Sequence, residues 1–225
     1  MAKRKLRRFS EIGNFSNVIE VKQSSETVHD IAMKGKWSSG FFKNNREIVL
    51  ELGCGKGEYT VGLGQAHPEK NYIGTDLKGN RIWVGAKKAL DHHFDNIGFL
   101  RSRIENIDKC FAPNEVSEIW ITFPDPQPQK SRSRKRLTHP DFLMLYKKIL
   151  SKNGMLHLKT DSSFLYEFTL DVIKENNHEL IFATSDLYSE SHPELAEVKS
   201  IKTYYEKLFS EKGFKINYLQ FRLAD

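Results

Sequence analysis

The chain has 225 residues, 39% of them hydrophobic and 28% charged, with a formal net charge of +6 and a pI of about 9.1. That is the length and composition of one globular domain, and no apolar run reaches the roughly eighteen residues that a membrane-spanning helix needs. The basic N-terminus has no apolar stretch behind it to make a signal peptide, and Cys54 and Cys110 form no Cys-x-x-Cys. The expectation is therefore a cytoplasmic protein with reduced thiols, no metal site and no membrane partner.

Lys3, Arg4, Lys5, Arg7 and Arg8 crowd the first eight residues, and the first nine read as a flexible arm ahead of a lead-in segment ending near 45. Trp37, Phe41 and Phe42 in that segment are expected to cover the core. The main domain, 46–225, opens on a buried strand over 48–52 and then Gly53-x-Gly55-x-Gly57 ahead of a helix over 58–67. Glycines at such a turn let the backbone approach a ligand, because no Cβ stands in the way. A second strand, 71–75, ends in Asp76, where a carboxylate commonly holds the hydroxyls of a ribose. Glu51 just before the first glycine would repel a pyrophosphate but suits a cationic ligand end, such as the ammonium and sulfonium of S-adenosylmethionine. This weighs against a nicotinamide dinucleotide, which favours Gly-x-Gly-x-x-Gly.

Downstream the alternation continues. A helix over 79–92 carries Ile82, Trp83, Ala86, Ala89 and Leu90 at helical spacing. Strands follow at 97–100, 118–122 and 155–159, helices at 141–150 and 164–176, and two last strands at 180–184 and 216–221. This predicts a Rossmann-like α/β fold: a seven-stranded, mostly parallel sheet with helices on both faces and an antiparallel strand at one edge. Ligands bind such sheets at the carboxyl ends of the strands. Glu51, Asp76, Arg103, Asp125 and Asp161 each follow a predicted strand and are expected to converge there, with Arg103 bordering an adenine through its backbone.

The loop Phe123-Pro-Asp-Pro-Gln-Pro-Gln-Lys130 has prolines at 124, 126 and 128, which hold Asp125 stiffly. Lys130, Arg132, Arg134, Lys135 and Arg136 follow within seven residues and suit the phosphates of an RNA. Tyr204 and Tyr205 are either core aromatics or surfaces on which a base stacks.

The run from Phe123 to Leu137 resembles the signature of bacterial tRNA (guanine-N7-)-methyltransferases, the TrmB family. Leu50-Glu-Leu-Gly-x-Gly55, Gly74-Thr-Asp76, Leu158-Lys-Thr-Asp161 and Thr203-Tyr-Tyr-Glu206 are similar to further motifs of that family. The resemblance spans about 48–221. It implies a class I S-adenosylmethionine-dependent methyltransferase that modifies N7 of guanine 46 in the tRNA variable loop, with no obligatory protein partner. It also implies cofactor-side carboxylates at Glu51, Asp76 and Asp125, beside the cofactor contacts that the strand ends themselves suggest at Gly53, Gly55 and Arg103; Asp125 is expected to be catalytic, stabilising the positive charge that methylation brings to the purine. The resemblance places substrate contacts at Asp161, Thr203, Tyr204, Tyr205 and Glu206, and Lys130 is expected to take over the charged contact that Gln129 lacks. The alternatives are a methyltransferase of another RNA base, or a non-catalytic RNA-binding protein on the same scaffold. Gln127, Gln129 and Arg103 stand where the family usually has Trp, Lys and an acidic residue.

Overall fold

The computed structural model describes residues 2–21 and 29–224, with side chains from residue 6 onward in the first stretch, so Lys3, Arg4 and Lys5 of the basic arm lie outside the described side chains. Helix α1 (Ala2–Ile12), strand β1 (Val18–Glu20) and a π-helical turn (Trp37–Phe42) precede the repeating part. Then come β2 (Ile48–Leu52), α2 (Glu58–Ala66), β3 (Asn71–Asp76), α3 (Gly79–Asp91), β4 (Ile97–Arg101), α4 (Ile107–Cys110) and β5 (Val116–Thr122). The chain continues through α5 (Pro140–Lys147), β6 (Leu150–Thr160), α6 (Ser163–Glu175), β7 (Glu179–Thr184), α7 (Ala196–Ser200), α8 (Tyr204–Glu211) and β8 (Asn217–Arg222).

The strands form one sheet in the order β1-β4-β3-β2-β5-β6-β8-β7. Among the described residues it has eight strands, where the sequence predicts seven: β1 pairs in parallel with β4, Val18 opposite Phe99. A strand of three residues is too short to carry a periodicity and exists only through its partner. The antiparallel strand is also not at the edge, since β8 lies between β6 and β7 and runs against both. The chain steps outward from β2 through β3 to β4 and then returns to place β5 beside β2. That reversal opens a crevice at the carboxyl ends of β2 and β5.

Alternation along the central strands sorts residues between two cores. Ile48, Leu50 and Leu52, Ile119 and Ile121, and Leu156 and Leu158 pack on the face covered by α4, α5 and α6. Val49 and Trp120 pack on the other face, with Tyr59 and Leu63 of α2 and Val198 of α7. The same parity turns Glu51, Thr122, His157 and Lys159 toward α2, α7 and α8. Trp37 is fully buried, as expected of a residue that covers the core; it stacks on Phe111 and donates from Nε1 to the Cys110 carbonyl at 2.9 Å.

The N-terminal arm is helical and docked over the stretch whose side chains are described. Ile12 is fully buried, the Arg8 guanidinium lies 4.4 Å over the Trp83 ring, and Trp83 Nε1 donates to Glu11 at 2.8 Å. An apolar edge of α1 finds a matching stripe on α3, and burial of that edge holds a helix that basic composition alone would leave unfolded. Among the described residues, no helix is long and apolar enough to cross a membrane.

Candidate active site

The crevice beside the switch point is lined by Glu51, Gly53, Gly55, Lys56, Thr122, Phe123, Thr203 and Tyr205, among others. The glycine loop forms its floor. Gly55 has φ +56, and a Cβ there would point into open space; Gly57 has φ +71, and a Cβ there would strike the Phe99 ring at 2.5 Å. The first is where a ligand can lie against bare backbone, and the second is where α2 must close on the sheet. Asp76 braces the loop: Oδ2 accepts from the Gly55 N–H at 3.0 Å and Oδ1 from the Lys78 N–H at 2.8 Å.

Glu51 is buried at the crevice wall, 3% exposed. Its carboxylate accepts from the Thr60 N–H at 2.8 Å, from Thr60 Oγ1, and from Thr122 Oγ1 at 2.5 Å. Burial pushes the carboxyl up to about 7; the hydroxyls of Thr122 and Thr60 and the Thr60 amide pull it back down, and the nearby charge of Asp76 raises it further. Thr60 and Thr122 thus belong to the site. Sequence reading misses them: Thr122 ends β5 two residues past Trp120, the register partner of Glu51, and Thr60 lies in the first turn of α2, so neither stands next to Glu51 in the sequence. An opposite charge placed beside this carboxyl favours its ionised form. A carboxyl on the wall of a crevice with an open glycine floor, and Asp76 at the end of the next strand, therefore fit the cationic end and ribose of S-adenosylmethionine.

In the ligand-free protein, the folded state holds the Glu51 proton more tightly than the unfolded chain, whose carboxyl has the ordinary value of 4.5. The Glu51 contribution to stability therefore falls by up to roughly 3 kcal/mol as pH rises from about 4.5 to about 7, while buried His157, its pKa lowered to about 4, contributes in the opposite sense over much of that range. Glu51→Gln abolishes the first contribution. Denaturant melts of both proteins at pH 5 and pH 8 check it; parallel pH dependence in the two contradicts it.

The other predicted residues divide. Tyr204 and Tyr205 start α8 and are exposed, so the core alternative is wrong for both. The Tyr204 N–H donates to Glu58 at 3.1 Å, Lys56 lies 5.1 Å over its ring, and Tyr205 faces the crevice. Asp125 is exposed on the loop after β5, its Oδ1 accepting from the Gln127 N–H at 3.1 Å. Asp161 is half-buried just past β6. Arg103 is exposed ahead of the turn Ile104–Asn106 and is not among the residues lining the crevice. Lys130, Arg132, Arg134 and Lys135 are exposed along the turn Lys130–Lys135.

Two expectations are corrected. Glu206, expected to read the substrate, is 0% exposed and fully engaged. It pairs with the equally buried Lys159 at 2.8 Å, accepts from Tyr188 Oη at 2.5 Å, and closes a capping box with Thr203. Lys159 Nζ also donates to the carbonyls of Val198 and Ile201 at 2.6 and 3.2 Å, and burial lowers its pKa. The late Thr-x-x-Glu is therefore a helix start bolted to the sheet, and it presents Tyr205 at the crevice. Arg136, expected on an RNA phosphate, is 6% exposed with its guanidinium against Phe164 and Phe168. Leu137 and Thr138, anchored by Tyr146 and Thr169, carry it inward and away from the solvent from which a phosphate would come.

Residues 45–219 match the family model described as "Putative methyltransferase". The chain is 50% identical over 222 residues to a tRNA (guanine-N(7)-)-methyltransferase of Christiangramia forsetii, covering 99% of both chains. It is 47% identical to that of Bacteroides fragilis, covering 99% of this chain and 87% of the relative. Identity to the Listeria welshimeri protein of the same name is 36%, covering 83% and 85%. Among solved structures, the 16S rRNA methyltransferase KamB superposes with a TM-score of 0.64 at 14% identity, covering 92% of this chain and 99% of that one. At that identity the likeness is one of fold, and the fold is that of class I S-adenosylmethionine-dependent methyltransferases. With half of its residues shared along its whole length and a glycine-floored crevice walled by carboxylates, the chain belongs to the tRNA (guanine-N(7)-)-methyltransferase family.

Proposed function

We propose that this protein methylates N7 of guanine 46 in the tRNA variable loop and does so in the cytoplasm. The observation that carries the reading is Asp125: a solvent-facing carboxylate on a proline-stiffened loop, two residues past the crevice wall at Phe123, with a row of exposed cations after it. S-adenosylmethionine, when bound, supplies a methyl group on a positively charged sulfur. Glu51, Asp76 and the glycine floor are the groups of this chain that hold it.

Guanine N7 carries an in-plane lone pair and no proton, so no residue need act as a base. What the protein supplies is orientation and charge. Methylation makes the purine positive, and Asp125 stabilises that charge while accepting from the N1–H and N2–H donors. Asp161, at the end of the adjacent strand, is a second acceptor for the same edge. Tyr204 and Tyr205 flank the mouth and offer rings to an extruded base.

Lys130, Arg132, Arg134 and Lys135 take phosphates and set affinity and register. Four such contacts predict a roughly 100-fold loss of tRNA affinity between about 50 and 200 mM salt. A filter-binding titration that stays flat over that range contradicts this role. The function itself is tested by incubating unmodified tRNA with labelled S-adenosylmethionine and digesting it to nucleosides. Label in 7-methylguanosine is expected; label in another nucleoside points to a different base.

A further inference from the structure

We propose that Arg136 is a positioning residue for the reaction: it clamps the Asp125 loop into its working shape and does not hold an RNA phosphate. The inference rests on the reading of Asp125 as the carboxylate that meets the base.

Five cations come after the loop, and the structure separates one of them. Lys130, Arg132, Arg134 and Lys135 face solvent, while Arg136 is buried. The main chain around it is anchored from two sides. Tyr146 Oη donates to the Leu137 carbonyl at 3.0 Å, and the hydroxyls of Thr138 and Thr169 meet at 2.8 Å. The guanidinium therefore arrives in a fixed place. It lies 4.6 and 4.4 Å from the ring centres of Phe164 and Phe168 on α6, and Nε donates to the Gln127 carbonyl at 3.1 Å. The N–H of the same Gln127 donates to Asp125 Oδ1 at 3.1 Å. Two hydrogen bonds through one residue thus connect the buried arginine to the exposed carboxylate.

The loop needs such a clamp. Phe123 and Gln127 have φ of 48° and 45°, a left-handed conformation that residues with a side chain rarely adopt. Both stand directly before a proline, which pushes its predecessor toward extended backbone instead. Local preference runs against the observed loop at both ends, so contacts from elsewhere must hold it. Arg136 supplies one at Gln127. Lysine cannot replace it, because it lacks both the Nε donor and the flat surface that packs on two rings.

The test is a set of variants assayed for kcat, for tRNA binding against salt, and for hydrogen exchange at the Gln127 amide. Arg136→Lys keeps the charge. It is expected to lower kcat about 100-fold, as loss of alignment at the reacting centre does. The same variant leaves the slope of tRNA affinity against salt at the wild-type value, and the Gln127 amide exchanges faster. Arg132→Ala and Arg134→Ala show the opposite pattern, each reducing the salt slope by about one phosphate's worth. Phe168→Leu removes one ring and leaves the arginine; it gives the Arg136 pattern in smaller measure and keeps the test open if Arg136→Lys folds poorly. In an Asp125→Asn background, Arg136→Lys costs little further activity, because the two act on one path. Unchanged kcat and unchanged exchange of the Gln127 amide in both Arg136→Lys and Phe168→Leu overturn the proposal, whatever the salt slope. Full activity in Asp125→Asn alone, with Arg136→Lys impaired, instead overturns the role given to Asp125.

Discussion

Asp125→Asn lowers kcat for methyl transfer by about 100- to 1,000-fold, while the KM for tRNA stays close to that of the wild type. The substitution removes one charge and little else. The side-chain oxygen of asparagine still accepts from the Gln127 N–H, so the loop keeps the hydrogen bond that shapes it. The three prolines keep their restrictions as well. The loss then falls on the developing positive charge of the purine, which an amide cannot balance, and not on docking, which the exposed cations of 130–135 provide. Single-turnover kinetics with saturating tRNA separates the two. Unchanged turnover removes Asp125 from the chemistry.

Glu206→Ala destabilises the protein by about 3–5 kcal/mol, the cost of leaving a buried charge without its partner. Lys159 Nζ is then held by two carbonyls and the Tyr59 ring, 5.2 Å away, with no counter-charge. Tyr188 loses its acceptor, and α8 loses half of its capping box. Replacing both partners by apolar residues, Lys159→Met with Glu206→Leu, recovers much of the loss because no charge remains to desolvate. Urea melts of the three proteins decide it. If Glu206→Ala keeps wild-type stability and loses only tRNA methylation, Glu206 reads substrate after all and the corrected assignment fails.

Asp125 and Glu206 mark how far the sequence can be read. The strand–glycine–helix turn, the alternating strands and helices, and Glu51 and Asp76 at strand ends are all legible, because each is a local pattern with a local cause. Helix α2 and strand β2 fall within one residue of their predicted ends for the same reason. Sheet order is not local, so sequence alone does not place β8 inside the sheet, and β1 has no pattern of its own. The roles of Glu206 and Arg136 escape sequence reading on the same ground. A carboxylate in a helix-start motif and an arginine in a basic run look identical whether they face solvent or the interior. One clue is present nonetheless: Lys159 lies in a strand of a mostly parallel sheet covered by helices on both faces, so the side of the strand opposite Leu156 and Leu158 is also inside and a lysine there needs an acid. Arg136 differs from the exposed row Lys130 to Lys135 only by its place at the end of the run, where Leu137 and Thr138 turn the chain back into the core.

The most direct test uses two tRNA transcripts that differ at one base, guanine or adenine at position 46 of the variable loop, each incubated with labelled S-adenosylmethionine and the wild-type protein. Methylation at guanine 46 leaves one 7-methylguanosine per molecule in the first and none in the second. Equal labelling of both, or label in neither with cofactor still bound, contradicts it.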